Sequence, residues 1–177
     1  MLFVATNILF LILMVCVLTF TISLALVMGR GAPWLPTPRS KVREMLTLAH
    51  AGADDTLIDL GAGDGIILFT AVRECGVQKA IGYELNPFFV WGIRLRTLLP
   101  RYRGRVFVYR KNLFKADLSS ASIITCFLLQ GTNEKLEPKL QRECKPGTRI
   151  VSRAFSFPNL TRVEKTEERT PLRLYTI

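Results

Sequence analysis

The first part of the sequence is an uncharged apolar stretch. No Asp, Glu, Lys or Arg occurs among the first 29 residues. The run LFVATNILFLILMVCVLTFTISLALVM is long enough to cross a hydrocarbon core of roughly 30 Å as a helix. A secretory signal peptide is the alternative, but no basic residue precedes the run, which also exceeds the apolar length of about 7–15 residues usual in such signals. The sequence therefore predicts a transmembrane anchor over residues 1–29.

Every charged side chain lies beyond this anchor, so the net charge of +10 belongs to residues 30–177. Four basic residues follow the apolar run closely: Arg30, Arg39, Lys41 and Arg43. Basic residues near a span tend to stay on the cytoplasmic side, and they attract anionic lipid headgroups. We expect a single-pass membrane protein with its main domain on the cytoplasmic side, or on the matrix side if the membrane is mitochondrial.

Cysteine and histidine usage argues against several kinds of site. The four cysteines are Cys16, Cys75, Cys126 and Cys144, and none belongs to a C-x-x-C pair. His50 is the single histidine. Zinc sites and disulfide frameworks need other spacings, so we expect no metal site, no disulfide framework and no histidine-based triad.

Residues 30–55 connect the anchor to a folded domain. The segment GRGAPWLPTP holds three prolines and two glycines in ten residues, a composition that excludes regular structure. Thr37 and Pro38 have the pattern of a helix start, with threonine as the cap and proline in the first turn. One apolar helical face then follows, formed by Val42, Met45, Leu46 and Ala49.

Strand-like and helix-like segments alternate from residue 56 to the end. Predicted strands cover 56–60, 79–84, 105–109, 121–129, 148–157, 160–166 and 172–177, and predicted helices cover 66–75, 86–99 and 132–143. Gly76 is placed to end the first of these helices, and Asn86 with Pro87 to open the second. Short connections between alternating elements predict an α/β domain with a parallel sheet and helices on both faces.

The turn after the first predicted strand is the segment DLGAGDG. Gly61, Gly63 and Gly65 leave the backbone bare at alternate positions, which allows a sharp turn and the close approach of a ligand. Glu84 ends the second predicted strand, nineteen residues past Gly65, where a carboxylate accepts hydrogen bonds from ribose hydroxyls. Parallel α/β sheets bind ligands at this edge. The residues predict an adenosine-containing ligand, either a dinucleotide or a nucleoside.

Charge separates these two ligands. Dinucleotide motifs follow G-x-G-x-x-G and present a helix start to a pyrophosphate. The spacing here is G-x-G-x-G, with Asp64 inside the loop and Asp59 before it. Carboxylates at these positions repel a pyrophosphate and favour a cationic ligand. S-adenosylmethionine has a sulfonium and an α-ammonium group, so the residues favour it over a dinucleotide.

LIDLGAGDG together with GYELNP resembles motif I and the following acidic motif of the seven-β-strand S-adenosylmethionine-dependent methyltransferases. Three further segments are similar to one subgroup, the membrane-anchored lysine methyltransferases related to the ATP synthase c-subunit lysine N-methyltransferase and their prokaryotic relatives. These segments are PWLPTPRSKVREML, GYELNPFFVW and LLQGTNEKLEPKLQRECKPGTRIVSRAFSFP. The resemblance covers about residues 32–158 and implies a Rossmann-like, seven-stranded methyltransferase domain over residues 56–177.

Matched position by position, the family pattern implies a set of cofactor-binding residues near the ends of the first four strands. These are Asp59, Gly61, Ala62, Gly63, Asp64, Gly65, Glu84, Leu85, Asn86, Asn112, Leu113 and Phe127. Pro36 and Thr37 match a lid over the cofactor, and Gln130 lies where the family pattern places the reacting methyl. Many relatives have Asp at the position of Asn112, and a basic residue at the position of Ile66. The amide of Asn112 still donates and accepts hydrogen bonds beside the adenine.

The resemblance implies methyl transfer to an accessible lysine of a membrane-associated protein, to which the anchor would hold the domain close. An apolar channel of Phe127, Phe155 and Phe157 would favour the neutral amine, although core packing is the simpler interpretation of each ring. No residue stands out as a general base. Two alternatives stay open: a methyltransferase of a lipid or small hydrophobic molecule, and a scaffold that binds the cofactor without catalysis.

The stretch IRLRTLLPRYRGRVFVYRK carries seven basic residues and no acidic one. It suits an anionic lipid surface, an acidic partner or nucleic acid, and a solvated helix face and loop is the simplest interpretation. We expect no nucleic acid partner, because basic charge alone lacks a recognition motif.

Overall fold

The computed structural model describes residues 2–28, 35–167 and 169–177. The helices are α1 (Leu2–Met28), α2 (Arg39–Leu48), α3 (Ile66–Thr70), α4 (Pro87–Thr97) and α5 (Gln130–Glu143), with a π-helical turn at Ala71–Cys75 and a 3₁₀ turn at Leu113–Lys115. The strands are β1 (Thr56–Leu60), β2 (Lys79–Glu84), β3 (Val106–Arg110), β4 (Ile123–Cys126), β5 (Arg149–Arg153), β6 (Thr161–Lys165) and β7 (Leu172–Thr176). Residues 29–34, the end of the predicted anchor and the start of the predicted linker, lie outside the described part.

The described strands form one seven-stranded sheet in the order β3-β2-β1-β4-β5-β7-β6. The five strands from β3 to β5 are parallel, which confirms the α/β prediction. β7 is antiparallel to both β5 and β6, so a wholly parallel sheet is the wrong expectation for the last two strands. The short connection between β6 and β7 explains this, because a parallel crossover needs a dozen or more residues.

Two strands are shorter than the sequence predicts. β4 ends at Cys126 rather than at residue 129, since the chain leaves the sheet to begin α5 at Gln130. β5 ends at Arg153 rather than at residue 157, because the next residue, Ala154, has a left-handed backbone with φ 68°. Both departures bring irregular backbone to the carboxyl edge of the sheet.

Each face of the sheet carries its own apolar core. α2, α3 and α4 cover one face, where Val42, Met45 and Phe69 are fully or almost fully buried. α5 covers the other face, where its Leu136 and Leu140 share a core with Tyr175 of β7. The predicted apolar face of α2 is confirmed, since its four residues are 0–1% exposed.

Helix ends follow the predicted signals at two of three places. Gly76 ends the helical segment in a left-handed conformation (φ 73°), and the side chain of Asn86 accepts a hydrogen bond from the Phe88 N–H (2.9 Å) to cap α4. At α2 the prediction is wrong: Pro38 takes the cap position and no side chain caps the helix. The Thr37 hydroxyl accepts a hydrogen bond from Arg153 instead.

Among the described residues, one helix is long and apolar enough to cross a membrane. Its candidate span is Val4–Ile22, with 19 residues and a mean hydropathy of 2.4. No residue of that window is buried in the protein. Such a helix has an apolar surface that water does not favour.

Candidate cofactor and acceptor sites

The loop between β1 and α3 depends on glycine for its conformation. Gly61, Gly63 and Gly65 all have positive φ, at 88°, 53° and 76°. At Gly65 there is also no room for a side chain, because a Cβ would lie 2.8 Å from Cγ1 of Ile93. The loop therefore brings bare backbone to the carboxyl edge of the sheet, as the sequence predicts.

Asp64 lies just before α3, next to its cap residue Gly65. Its Oδ1 accepts a hydrogen bond from the Ile66 N–H at 3.1 Å. A carboxylate thus occupies the place where a dinucleotide motif offers free amides to a pyrophosphate. The geometry agrees with the charge argument against a dinucleotide.

Glu84 ends β2 directly beside this loop and is 8% exposed. Its Oε2 accepts a hydrogen bond from the Gly63 N–H at 2.8 Å. Its Oε1 accepts from the N–H groups of Leu85 (2.8 Å) and Asn86 (2.7 Å). A carboxylate has about four acceptor positions, so one stays open to a ligand, and three backbone bonds fix its direction.

Asp59 is the buried carboxylate of the site, at 2% exposure. Its Oδ1 accepts a hydrogen bond from the Thr125 hydroxyl at 2.8 Å, whereas its Oδ2 accepts none from the described residues. The pKa of Asp59 is raised to about 7, mainly because burial disfavours the charged form. The bond from Thr125 opposes this rise, and the nearby carboxylates of Glu84 and Asp64 add to it. A buried acceptor without a donor is a natural place for a cationic ligand group.

The segment after β3 adjoins Glu84. The Lys111 N–H donates to the Glu84 carbonyl oxygen at 3.2 Å. Asn112 follows, and its Oδ1 accepts from the Phe114 N–H at 2.9 Å to begin the 3₁₀ turn. Leu113 packs against the core on the α5 face. The predicted adenine-flanking residues therefore lie beside the predicted ribose residue. We call the edge formed by residues 59–65, 84–86 and 112–113 the cofactor half.

The carboxyl ends of β4 and β5 form the other half of the edge. The guanidinium of Arg153 lies 4.4 Å from the ring centroid of Phe127. The same guanidinium donates to the Thr37 hydroxyl at 3.1 Å, which brings the segment before α2 to this end of the sheet. We call the region of residues 127–133 and 152–156 the acceptor half, and the segment at 36–37 lies against it.

A polar network holds the acceptor half together, and sequence reasoning missed most of it. Ser156 donates to Gln130 Oε1 through its backbone N–H at 3.1 Å. Asn133, which is fully buried, donates to the Ser152 hydroxyl at 3.2 Å, and that hydroxyl donates to the Phe155 carbonyl oxygen at 2.6 Å. Gln130 and Asn133 are spaced i, i+3 on α5, a signal that marks one helical face but does not name the partner strand.

One predicted channel residue belongs to the core instead. Phe157 is 2% exposed and packs edge-on against Tyr175, with ring centroids 5.5 Å apart. Phe127 and Phe155 are half-buried at the edge. The channel interpretation is therefore wrong for Phe157, because the chain after Ala154 turns that ring toward the α5 face of the sheet.

Comparisons with known proteins point to one methyltransferase family. A family model described as the ANTKMT methyltransferase domain matches residues 59–164. A protein-lysine N-methyltransferase of Saccharolobus islandicus is 43% identical over 71% of this chain and 78% of its own length. The mouse adenine nucleotide translocase lysine N-methyltransferase is 36% identical, and the human ATP synthase c-subunit lysine N-methyltransferase 30% identical. These two matches span 71% and 73% of this chain but only 54% of either relative.

A similar solved structure is an RNA methyltransferase from Salinibacter ruber in complex with S-adenosyl-L-homocysteine. It is 33% identical, with a TM-score of 0.77 over 81% of this chain and 94% of that chain. The fold, the acidic glycine loop and this match define an S-adenosylmethionine-dependent methyltransferase. More narrowly, the chain belongs to the ANTKMT methyltransferase domain family, whose model covers more than half of its length.

Proposed function

We propose that this chain is a membrane-anchored protein-lysine N-methyltransferase that acts on a membrane-associated protein. The observation that carries the proposal is the buried Asp59 carboxylate, which has an open acceptor atom next to the bare glycine loop. That site suits a cationic methyl donor. The names of the relatives, all lysine N-methyltransferases, support lysine as the acceptor.

S-adenosylmethionine, when bound, supplies a methyl group already activated on a sulfonium. In the proposed arrangement Asp59 would accept a hydrogen bond from the α-ammonium group, and Glu84 would accept one from a ribose hydroxyl. Asn112 and Leu113 would flank the adenine. The backbone of the loop at 61–65 would contact the ligand where side chains would block it.

The substrate lysine must be a neutral amine when it lies in the acceptor half. The Arg153 guanidinium over Phe127 lowers the pKa of an ammonium group that approaches it, because like charges disfavour the protonated form. Burial beside Phe127 and Phe155 acts in the same direction. Holding donor and acceptor in line contributes up to roughly 7–11 kcal/mol to lowering the barrier, and we assign that positioning to Gln130 and to the lid at Pro36 and Thr37.

The proposed function includes membrane anchoring by α1. α1 has the length and hydropathy of a span. The c-subunit of ATP synthase and the adenine nucleotide translocase, named as targets of two relatives, are membrane proteins. A tethered domain meets targets in the same membrane at high effective concentration. The basic residues that follow α1 favour a cytoplasmic or matrix location for the domain.

Methyl transfer into membranes tests this function. Membranes from cells that lack the chain are incubated with labelled S-adenosylmethionine and the full chain, or with its Glu84→Ala variant as the inactive control. We expect label that protease releases and that mass spectrometry places on methyllysine of a membrane protein.

The other outcomes separate the alternatives. Label extracted by organic solvent identifies a lipid acceptor, and label released by nuclease identifies RNA, the substrate named for the Salinibacter protein. Cofactor binding without transfer to any fraction identifies a scaffold. Each of these results overturns the lysine assignment.

A further inference from the structure

α4 carries two apolar faces, and only one of them faces the core. Val90 and Ile93 are 3% and 0% exposed and pack against the sheet. On the outside, a second apolar row is exposed along the helix and its C-terminal turn: Phe88 (41%), Trp91 (68%), Leu95 (54%), Leu98 (71%) and Leu99 (47%). A helix on a water-facing surface has polar residues on its outer side. We call this row the α4 stripe.

The α4 stripe is continuous and narrow. Phe88, Trp91 and Leu95 follow the spacing i, i+3 and i+7, which places them within an arc of about 60° at about 3.6 residues per turn. Leu98 and Leu99 follow in the turn that ends the helix. Arg94 borders one side of this arc. Arg96, on the other side, turns back over the ring of Phe69, with 3.9 Å between its guanidinium carbon and the ring centroid.

The stripe meets the apolar N-terminal helix. The ring of Phe20 packs edge-on against Phe88 (centroids 5.9 Å apart) and Phe89 (6.0 Å). Phe20 lies in the C-terminal third of α1 (Leu2–Met28), toward the end from which the chain continues to the domain. When α1 crosses the bilayer, the first turn of α4 is therefore held beside the part of the membrane helix nearest the domain.

Basic side chains follow the stripe closely along the chain, and two of them lie beside it. Arg94, Arg101, Arg103, Arg110 and Lys111 are exposed, and no acidic residue interrupts the sequence between them. Arg94 and Arg110 also line a groove whose other described lining residues are Pro87, Phe88, Val90 and Trp91. An apolar row with tryptophan, bordered by arginine, is the composition of helices that lie in the surface of an anionic bilayer.

We propose that the α4 stripe lies in the headgroup region of an anionic membrane and holds the methyltransferase domain at a fixed orientation on it. The proposal rests on the proposed anchoring by α1. α4 starts at the carboxyl edge of the sheet, so this second attachment brings that edge close to the membrane surface. A lysine that emerges near the headgroups of an integral protein is then within reach of the acceptor half.

Tryptophan fluorescence tests the position of the stripe. Trp34→Phe removes the other tryptophan of the sequence, so that Trp91 alone reports. The full chain is reconstituted in nanodiscs of phosphatidylcholine and phosphatidylglycerol with brominated acyl chains. We expect blue-shifted emission and at least about twofold quenching, strongest for bromines near the headgroups, because an interfacial helix is buried only about 5–10 Å.

Matched variants give the controls. A chain with Trp34→Phe, Trp91→Phe and Val163→Trp reports from β6, at the sheet edge opposite β3, where Val163 is exposed, and its emission is expected to remain unquenched. Leu95→Glu with Leu98→Glu should abolish the quenching of Trp91, with cofactor affinity unchanged as the evidence of correct folding. Arg94→Glu with Arg110→Glu should reduce quenching in anionic discs.

Resistance to alkaline carbonate extraction separates this proposal from the anchoring on which it rests. If the chain stays with the lipid while Trp91 is unquenched, the proposed membrane contact of the α4 stripe is wrong and the proposed anchoring by α1 stands. A chain that is extracted, with Trp91 unquenched, overturns both. Trp91 emission that is blue-shifted only in discs with two copies of the chain, and that is not quenched, would show that the α4 face contacts a second chain. That result also overturns the proposal.

Discussion

The two halves of the carboxyl edge are built in different ways. In the cofactor half, the contacts run through backbone groups: Glu84 accepts from the N–H groups of Gly63, Leu85 and Asn86. In the acceptor half, side chains from α5, from the end of β5 and from the segment before α2 meet one another, as Gln130 does with Ser156 and Arg153 with Thr37. The cofactor half has carboxylates, and the acceptor half has a guanidinium.

This difference matches the two tasks proposed for the edge. A cofactor is the same in every turnover, so rigid backbone and fixed carboxylates suit it. A protein substrate differs among relatives, and side chains on a helix and on irregular backbone can change without disturbing the sheet. We therefore expect changes in the cofactor half to lower stability or cofactor affinity, and changes in the acceptor half to lower turnover alone.

The largest effect should come from Gly65→Ala. The new Cβ would lie 2.8 Å from Ile93, and the alanine would have to adopt a positive φ. The free energy of unfolding should therefore fall by about 2–4 kcal/mol. Gly104→Ala is the control, because Gly104 has a φ of 74° with no atom within 4 Å of a Cβ, and its cost should be about 1 kcal/mol. Denaturant titration of the full chain in detergent measures both, and equal losses would contradict the packing argument.

Glu84→Ala should come next. It leaves three backbone N–H groups without their acceptor and removes the proposed ribose contact, so cofactor affinity should fall roughly 10–100-fold. Glu84→Gln keeps an oxygen acceptor and should lose less. Glu164→Ala changes an exposed carboxylate on β6 and serves as the calorimetric control. Wild-type affinity in Glu84→Ala would remove Glu84 from the site.

Asp59 should make cofactor binding pH-dependent. Its pKa is raised to about 7 by burial, and a cationic ligand binds the carboxylate form, so affinity should rise about tenfold between about pH 6 and about pH 8. The stability of the ligand-free protein has the opposite pH dependence, because it falls as the pH rises. The stability that Asp59 contributes is full below its unfolded pKa of 3.8 and is lost as the pH rises through about 7.

Asp59→Asn is the control for this pH dependence. The variant keeps a side-chain oxygen for Thr125, should bind the cofactor weakly at every pH, and should be more stable than the parent above about pH 7 because no buried charge remains. Calorimetry across the pH range checks the expected cofactor affinity, and thermal unfolding across the same range checks the expected stability. A variant with the parent's pH profile would assign the titration to another group.

The smallest of these effects should come from the acceptor half. Gln130→Ala removes the acceptor of the Ser156 N–H, so turnover should fall about fivefold, the value of one hydrogen bond, with cofactor affinity unchanged. Gln141→Ala, an exposed glutamine on the same helix, is the matched control. A loss of cofactor affinity in Gln130→Ala would break the division of the edge into two halves.

Local patterns predicted much of the molecule. The strand–loop–helix unit around DLGAGDG, the Asn86 cap and the Gly76 helix end all follow from residues that act within a few positions of one another. The relation between Glu84 and the loop was also predictable, because parallel neighbours end at the same edge. What failed were strand ends and the direction of the tail, where contacts between distant segments decide the backbone.

By itself, the sequence determined an apolar N-terminal helix, an α/β domain and an acidic glycine loop suited to a cationic cofactor, because periodicity, glycine spacing and charge act locally. The tertiary structure alone decided that Thr37 meets Arg153 rather than capping α2, that Phe157 belongs to the core, and that Asp59 keeps one buried oxygen open. It also decided that the α4 stripe faces outward beside Phe20. An apolar row in a sequence does not say which of two faces is buried, since burial depends on the elements that pack against it.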